Sequence, residues 1–194
     1  MSSTEFELAE MDWATQQNAI VEKLAVVGDK AGLAIAEQHA GKTGLQVLEG
    51  MMSGQLPFPH MNETMNMVLI EAKEGRAVFQ GIPQVRHYNP LGSVHGGWFA
   101  TLLDSAMGCA VQSSMPAGRS YTTAELSVNI VRGATHKTGP LRAVGTVIHN
   151  GRQMTTAQAR IEDENGKLYA HATTTCFLFD VAPKVLSGVP SITT

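Results

Sequence analysis

The spacing of apolar residues separates a helical first third of the chain from a strand-rich remainder. In residues 6–40 apolar positions recur at helical spacing among Glu, Gln and Lys, with glycines interrupting the pattern. A second helical run covers 45–52, and the prolines of 57–59 then favour extended chain. Nothing in this part suggests chemistry. We therefore predict that residues 1–60 form a helical extension that packs on the domain or on a neighbouring subunit.

From residue 61 onward the pattern favours β-strands. Two strand-type runs joined at a Gly75 turn precede a long helical segment, 95–115, and four more runs follow it. Asn150-Gly151 and the turn at 164–166 predict hairpins between the later runs. The predicted strands are 66–72, 76–84, 121–131, 141–149, 153–163 and 168–179.

This order predicts the α+β class, with an antiparallel sheet covering one helix. We expect the domain to span 61–183, followed by a tail at 184–194. In the third predicted strand, apolar residues alternate with polar ones, which predicts a strand with one buried face. The apolar positions are Ala124, Leu126, Val128 and Ile130.

The long helix carries one ionisable residue in an otherwise apolar segment, GWFATLLDSAMGCAV. This residue is Asp104. A helix that is apolar nearly all round is buried, and an unpaired carboxylate is costly in such a place. A lone charge there is a candidate for a functional group, although a carboxylate that faces a solvent gap or caps a strand gives the same pattern.

Two glycines, Gly96 and Gly97, open this helix, where they are poor helix formers. Without Cβ atoms they would let a ligand approach N–H groups that are unpaired in the first turn, at the positive end of the helix dipole. Such a position suits a carbonyl oxygen that becomes an oxyanion. His95 and Asp104 lie nine residues apart, roughly 13 Å along a straight helix. A shared site between two antiparallel copies of the helix would bring the Gly96 region of one copy to Asp104 of the other.

Composition and charge narrow the function classes. Fourteen basic and seventeen acidic residues give a net charge of -3, without a basic cluster, so we expect no nucleic-acid partner. No run of about eighteen apolar residues predicts a membrane span, and the acidic start does not resemble a secretory signal, so we expect a cytoplasmic protein. Cys109 and Cys176 form no CxxC pair and are expected as buried thiols. The histidines show no metal-ligand spacing, so no metal is predicted.

Asn89, His95-Gly96-Gly97 and Asp104, within VHGGWFATLLDSAMG, together resemble the HotDog-fold acyl-CoA thioesterases of the phenylacetate-degradation type. The similarity continues through YTTAELSVNIVRGA, VIHNGRQ and GKLYAHATTTCFLF, and it covers about residues 45–182. It implies the HotDog fold, with five to six antiparallel strands wrapped around one long central helix. It also implies an acyl-CoA substrate, no cofactor beyond the CoA of that substrate, and a homodimer or a dimer of dimers.

The resemblance implies roles for single residues. Asp104 would activate water as general base, or act as nucleophile, and the Gly96 N–H would polarise the thioester carbonyl. Asn89 and His95 would orient the loop, the carbonyl or the water, and Thr123 would help to place the water. Gly97 would border the substrate. Pocket walls are expected from Trp98, Phe99, Met61 and Met65, and contacts to the CoA phosphates from Arg132, Lys137 or Arg152.

Other functions remain open at this point. Ser93 lacks the GxSxG context of a serine hydrolase, and Cys109 has no neighbouring basic residue to lower its pKa. A hydratase acting on enoyl thioesters would need an acid–base pair closer together than His95 and Asp104. A HotDog module that binds acyl-CoA without catalysis is the main alternative, because a fold does not fix a function. Asp104 is the residue that such a module would not need.

Overall fold

The computed structural model describes residues 11–27, 32 and 36–181 of the 194-residue chain. The predicted tail at 184–194 and part of the predicted helical stretch 6–40 lie outside the described residues. The described elements are α1 (Trp13–Val27), α2 (Ala36–His39), α3 (Gly44–Ser53), α4 (His60–Met65), β1 (Met67–Lys73), β2 (Arg76–Gly81), α5 (Gly96–Ser113), β3 (Arg119–Ile130), β4 (Leu141–Asn150), β5 (Met154–Glu162) and β6 (Leu168–Asp180).

The strands form one antiparallel six-stranded sheet in the order β1-β2-β4-β5-β6-β3. The sheet wraps around the long helix α5, so the predicted α+β class and the HotDog arrangement are confirmed. α5 begins after His95 and ends at Ser113, within the predicted 95–115. The second strand is shorter than predicted, because the chain leaves the sheet at Gly81 and Pro83 follows, which has no N–H for a ladder bond.

Small residues on the inner face of the sheet let α5 approach closely. A Cβ on Gly145 would lie 2.3 Å from the carbonyl oxygen of Ala106 in the helix, so only glycine fits there. The large apolar side chains of α5 fill the space above this face, with Leu103 and Met107 fully buried. The small residues that line the sheet beside Gly145 are Ala143, Ala157, Ala159, Ala170 and Ala172.

The helical extension is tied to the β1 side of the sheet by polar contacts. The guanidinium of Arg142 lies 3.9 Å from the ring centre of Trp13 in α1. The buried amide of Gln80 in β2 donates to the Trp13 carbonyl and to Gln17, and Gln17 donates to the carbonyl of Asn66. Buried polar groups with these bonds fix α1 in one position. The extension packs on its own domain, which is one of the two predicted arrangements.

The prediction of a one-sided β3 is wrong for the single chain. Ala124, Leu126 and Ile130 are exposed, and Val128 is half-buried. The alternation is broken by a bulge between Thr123 and Glu125, and α5 packs mainly over β2, β4 and β5. The apolar face of β3 is therefore left uncovered by the described residues.

Candidate active site

Asp104 lies in the middle of α5 and contacts the β3 edge of the sheet. Its side chain is half-buried, and the hydroxyl of Thr123 in β3 donates a hydrogen bond to its Oδ1 at 3.2 Å. Burial raises the pKa of Asp104 above its ordinary value, and the bond from Thr123 opposes part of that rise. Asp104 and Thr123, two of the predicted site residues, are thus in direct contact, and the carboxylate is half-buried.

At the start of α5, Gly96 and Gly97 are each close to a different neighbouring side chain. The His95 imidazole caps the helix, because its Nδ1 accepts a hydrogen bond from the N–H of Gly97 at 2.9 Å. A Cβ on Gly97 would lie 3.0 Å from that nitrogen, and a Cβ on Gly96 would lie 3.2 Å from Ile130. The Gly96 N–H has no hydrogen-bond partner within the described part of the chain. It is the donor still available to a ligand.

Asn89 organises the turn that leads to this helix. Its Oδ1 accepts hydrogen bonds from the N–H groups of Leu91 and Ser93, and its Nδ2 donates to the Ser93 hydroxyl. Ser93 is therefore hydrogen-bonded to Asn89, and His95 is hydrogen-bonded to Gly97. Ser93 and His95 do not form the hydrogen-bonded pair that a serine nucleophile and its base require. In this structure Asn89 stabilises the turn at 89–93.

A cavity of about 580 Å³ borders the carboxylate, and sequence reasoning missed it. One wall is formed by three partly buried residues of α5, Asp104, Ser105 and Cys109. Other walls come from β1 and from the helices of the extension. Residues 1–60 suggested no chemistry from their sequence, and several of them line this cavity. A usable signal was the methionine content, since five of the ten methionines lie within 51–67.

Two further groups beside Asp104 are held in their neutral forms. Burial, together with the Asp104 charge, raises the pKa of Cys109 to about 12, so the thiol is protonated and is a poor nucleophile. Burial also raises the pKa of Tyr121 well above its usual range. The Tyr121 hydroxyl packs against Gly108, where a Cβ would lie 2.6 Å from it. Asp104 is the acid–base candidate of this cluster.

The residues that were predicted to line the pocket do not all border the cavity. Trp98 is 2% exposed and donates from its indole to the Met65 carbonyl, and Phe99 packs edge-on against it. Both are core residues and do not border the cavity, because they point to the face of α5 that the sheet covers. Met61 does line the cavity.

The basic candidates lie at opposite ends of β3. The carbonyl of Arg152 accepts a hydrogen bond from Arg119, the first residue of β3. Arg132 lies two residues after the end of β3, stacks on Tyr169 and donates to the Leu168 carbonyl. With 12 residues in β3, these ends are roughly 37 Å apart at about 3.4 Å per residue. Arg132 and Arg152 of one chain therefore do not meet, and Lys137 lies on an exposed turn.

The described part of the chain contains neither a metal-binding cluster nor a membrane-spanning helix. No three His, Cys, Asp or Glu side chains in 11–27 and 36–181 are grouped so that they could hold a metal ion. No helix in the same residues is long and apolar enough to cross a membrane.

Comparison with known proteins agrees with this geometry. The family model of the thioesterase superfamily matches residues 91–170, which include α5 and most of the sheet. The fold is that of a HotDog domain, and the matched residues, which make up less than half of the chain, are similar to the thioesterase superfamily. The predicted resemblance is thereby confirmed, while the catalytic roles of single residues stay predictions. A search of curated proteins finds no significant match to this sequence.

Solved structures show the same HotDog domain. A phenylacetic acid degradation-related protein of Ralstonia eutropha is 26% identical, with a TM-score of 0.61 over 67% of this chain and 98% of its own. The PaaI protein of the Escherichia coli phenylacetic acid degradation operon has 21% identity and a TM-score of 0.62, over 72% and 95%. A thioesterase of Haemophilus influenzae has 20% identity and a TM-score of 0.58, over 62% and 83%. This chain is longer than each of these domains.

Proposed function

We propose that this HotDog protein hydrolyses an acyl-CoA thioester to a carboxylic acid and free CoA. The observation that carries the proposal is the half-buried Asp104, whose pKa is raised by burial and which borders a cavity of substrate size. The volume of about 580 Å³ falls within the range of about 300–1,000 Å³ that is typical of small-molecule sites.

Asp104 acts as general base or as nucleophile on the thioester. A carboxylate with a raised pKa is a stronger base than an ordinary one, provided that it is ionised at the working pH. As a base it removes a proton from water, which attacks the carbonyl carbon; the carbon–sulfur bond then breaks, and the proton passes from Asp104 to the leaving sulfur, so that CoA departs as the thiol. Thr123 donates to Oδ1 and so fixes the direction of the carboxylate. The donor for the developing oxyanion is the free N–H of Gly96 at the helix start.

The two groups belong to different copies of the chain. Gly96 and Asp104 are eight residues apart on one helix, about 12 Å along its axis. A carbonyl bound to the one N–H is therefore out of reach of the carboxylate in the same chain. A second copy with its helix antiparallel to the first removes this mismatch. The edge strand β3, which carries Thr123 and has no strand beyond it in the described sheet, is the surface that we assign to this pairing.

Asn89, His95 and Gly97 support the donor. Asn89 shapes the turn at 89–93, and His95 caps the helix through Gly97, so the Gly96 N–H is held in a fixed direction. Antiparallel pairing of two β3 strands would also bring Arg132 of one copy towards the Arg152 end of the other. That is the arrangement in which both could contact one CoA.

The substitution Asp104→Asn tests the proposal. We expect kcat for thiol release from acyl-CoA to fall by about 10²–10⁴-fold, the contribution of a positioned base, with little change in KM. The control Asp163→Asn changes a carboxylate that holds the turn after β5, accepts a bond from the Tyr169 hydroxyl and does not line the cavity, and it should keep full activity. Undiminished activity of Asp104→Asn contradicts the assignment. Acyl-CoA binding without any thiol release in the unmodified protein would favour the non-catalytic binding module.

A further inference from the structure

The cavity beside Asp104 extends from the central helix into the helical extension. Its catalytic end has polar groups of α5, namely Asp104, Ser105 and Gln112. Its other walls are mostly apolar, and most of them come from α1, α3, α4 and β1. They include Leu24 of α1, Val47, Met51 and Met52 of α3, Met61 of α4 and Leu69 of β1. The space therefore leads from the reacting groups into an apolar compartment.

The extension is a fixed wall of this compartment. Gln80 and Gln17 are almost completely buried and hold α1 against the sheet through the bonds described above. On the other side, the N–H of Gly44 at the start of α3 donates to the Met115 carbonyl after α5. A Cβ on Gly44 would lie 1.7 Å from the Gln112 carbonyl oxygen, so α3 and α5 are in backbone contact. Both helices are thus seated directly on the catalytic domain.

The size and the side chains of the compartment favour a long flexible ligand. A cavity of about 150 Å³ already holds a benzene ring, so one aryl ring would fill only about a quarter of the 580 Å³. Methionine side chains are flexible and adapt to a ligand without a fixed shape. Three methionines line the space, namely Met51 and Met52 of the extension and Met61 of α4. An unbranched aliphatic chain is long enough to fill this volume and flexible enough to fit against methionine side chains.

We propose that this compartment binds the aliphatic chain of a medium- or long-chain acyl-CoA, and that the helical extension sets the preferred chain length. The inference rests on the proposed function for the position of the thioester, which lies at the Asp104 end. The acyl chain then runs away from the carboxylate between α1, α3 and α4. The extension is in this respect a part of the substrate site.

Binding of non-hydrolysable thioethers tests the inference without requiring turnover. Dodecyl-CoA and butyl-CoA are titrated into the full chain by calorimetry. We expect dodecyl-CoA to bind at least about a hundredfold more tightly than butyl-CoA, because every methylene buried in the compartment adds to the affinity. Equal affinities for the two thioethers overturn the inference.

Variants that fill the compartment locate the binding. Leu24→Trp and Met61→Trp place bulk in its α1 and α4 walls, and Met61 is half exposed, so the fold should tolerate the change. Both should weaken dodecyl-CoA binding at least about tenfold and leave butyl-CoA binding within about twofold, which also shows that the variant is folded. The control Met11→Trp alters an exposed methionine of the same extension outside the cavity and should leave both affinities unchanged. Equal weakening of both thioethers, or none, overturns the inference.

Assays of thiol release separate this inference from the proposed function. Butyryl-, octanoyl-, dodecanoyl- and phenylacetyl-CoA are compared as substrates. Tight dodecyl-CoA binding that depends on Leu24 and Met61, without hydrolysis of any ester, supports the compartment and contradicts the proposed hydrolysis. Hydrolysis that is lost in Asp104→Asn but is independent of chain length supports the hydrolysis and overturns the compartment.

Discussion

The two edge strands of the sheet have opposite surroundings. β1 lies under α1, α3 and α4, and its first residues, Met67 and Val68, are buried. β3 is longer, with 12 residues against 7, and most of its side chains are exposed on both faces. Within the described residues nothing comparable to the extension covers it.

The difference indicates what covers or pairs with each edge strand. Exposed edge strands present unpaired N–H and C=O groups, which proteins cover or pair. The chain covers β1 with its own extension and thereby creates the apolar compartment beside Asp104. The described residues leave β3 uncovered, with the apolar side chains of Leu126 and Ile130, and we propose that a second copy of the chain pairs with it. In this proposal, one side of Asp104 is enclosed by the chain itself and the other side by a second copy.

The largest effect is expected from blocking the open edge. Thr174 donates to the carbonyl of Glu125, and Val131 donates to Tyr169, so the odd-numbered residues turn their backbone groups towards β6. The N–H of Leu126 therefore points outward. Leu126→Pro should produce monomers and lower kcat/KM by at least about 10²-fold, because a monomer lacks the donor from its partner. Sedimentation and thiol release measure the two effects.

The control for this substitution is Leu126→Ala, which shortens the same side chain but keeps the N–H. It should remain dimeric and retain most of the activity. A fully active monomer of Leu126→Pro would show that the open edge has no part in the site.

A smaller effect is expected from Thr123, which connects the open edge to the carboxylate. Its hydrogen bond stabilises the charged form of Asp104, so Thr123→Val should raise the pKa of Asp104 further. The acid limb of the kcat/KM profile should then move to higher pH, since more alkaline conditions are needed to ionise the base. Above that limb, activity should fall by about tenfold or less. An acid limb that stays in place would indicate that another group controls it.

The smallest effect on activity is expected at the closed edge. Trp13→Ala removes the ring that stacks on Arg142. The loss of about 1–2 kcal/mol should lower Tm by about 2–8 °C and leave the dimer intact. Lys23→Ala, on an exposed position of the same helix, should not change Tm. A dimer that dissociates in Trp13→Ala would mean that the two edges are not independent.

The sequence predicted most of the fold because local signals agreed with the tertiary structure. Asn150-Gly151 marked the turn between β4 and β5, and the apolar run after Gly97 marked the buried helix. The alternation in β3 was misleading, because its apolar residues face a surface that the single chain does not cover. Periodicity shows that a face is apolar, but it does not show which molecule buries it.

The candidate site was predicted in part. Asp104 was detectable because a charge in an apolar helix is costly, and Thr123 was implied by the family resemblance. The glycine pair pointed to the Gly96 N–H as a donor, which stays a prediction, and the structure adds that Gly97 packs against the His95 cap. The compartment was not detectable, because its walls are ordinary apolar residues from distant parts of the chain. Trp98 was expected in the pocket and instead fills the core, since periodicity alone does not distinguish the faces of a helix that is apolar all round.

The shared site can be tested directly by mixing two variants that are each nearly inactive. Gly96→Pro removes the N–H at the first helical position, where proline is tolerated, and Asp104→Asn removes the carboxylate. In a mixed dimer, one of the two sites combines the intact Asp104 of one copy with the intact Gly96 of the other. Co-refolding equal amounts should therefore restore about a quarter of the unmodified activity, because half of the randomly paired dimers are mixed. A mixture that stays as inactive as its components would contradict the shared site.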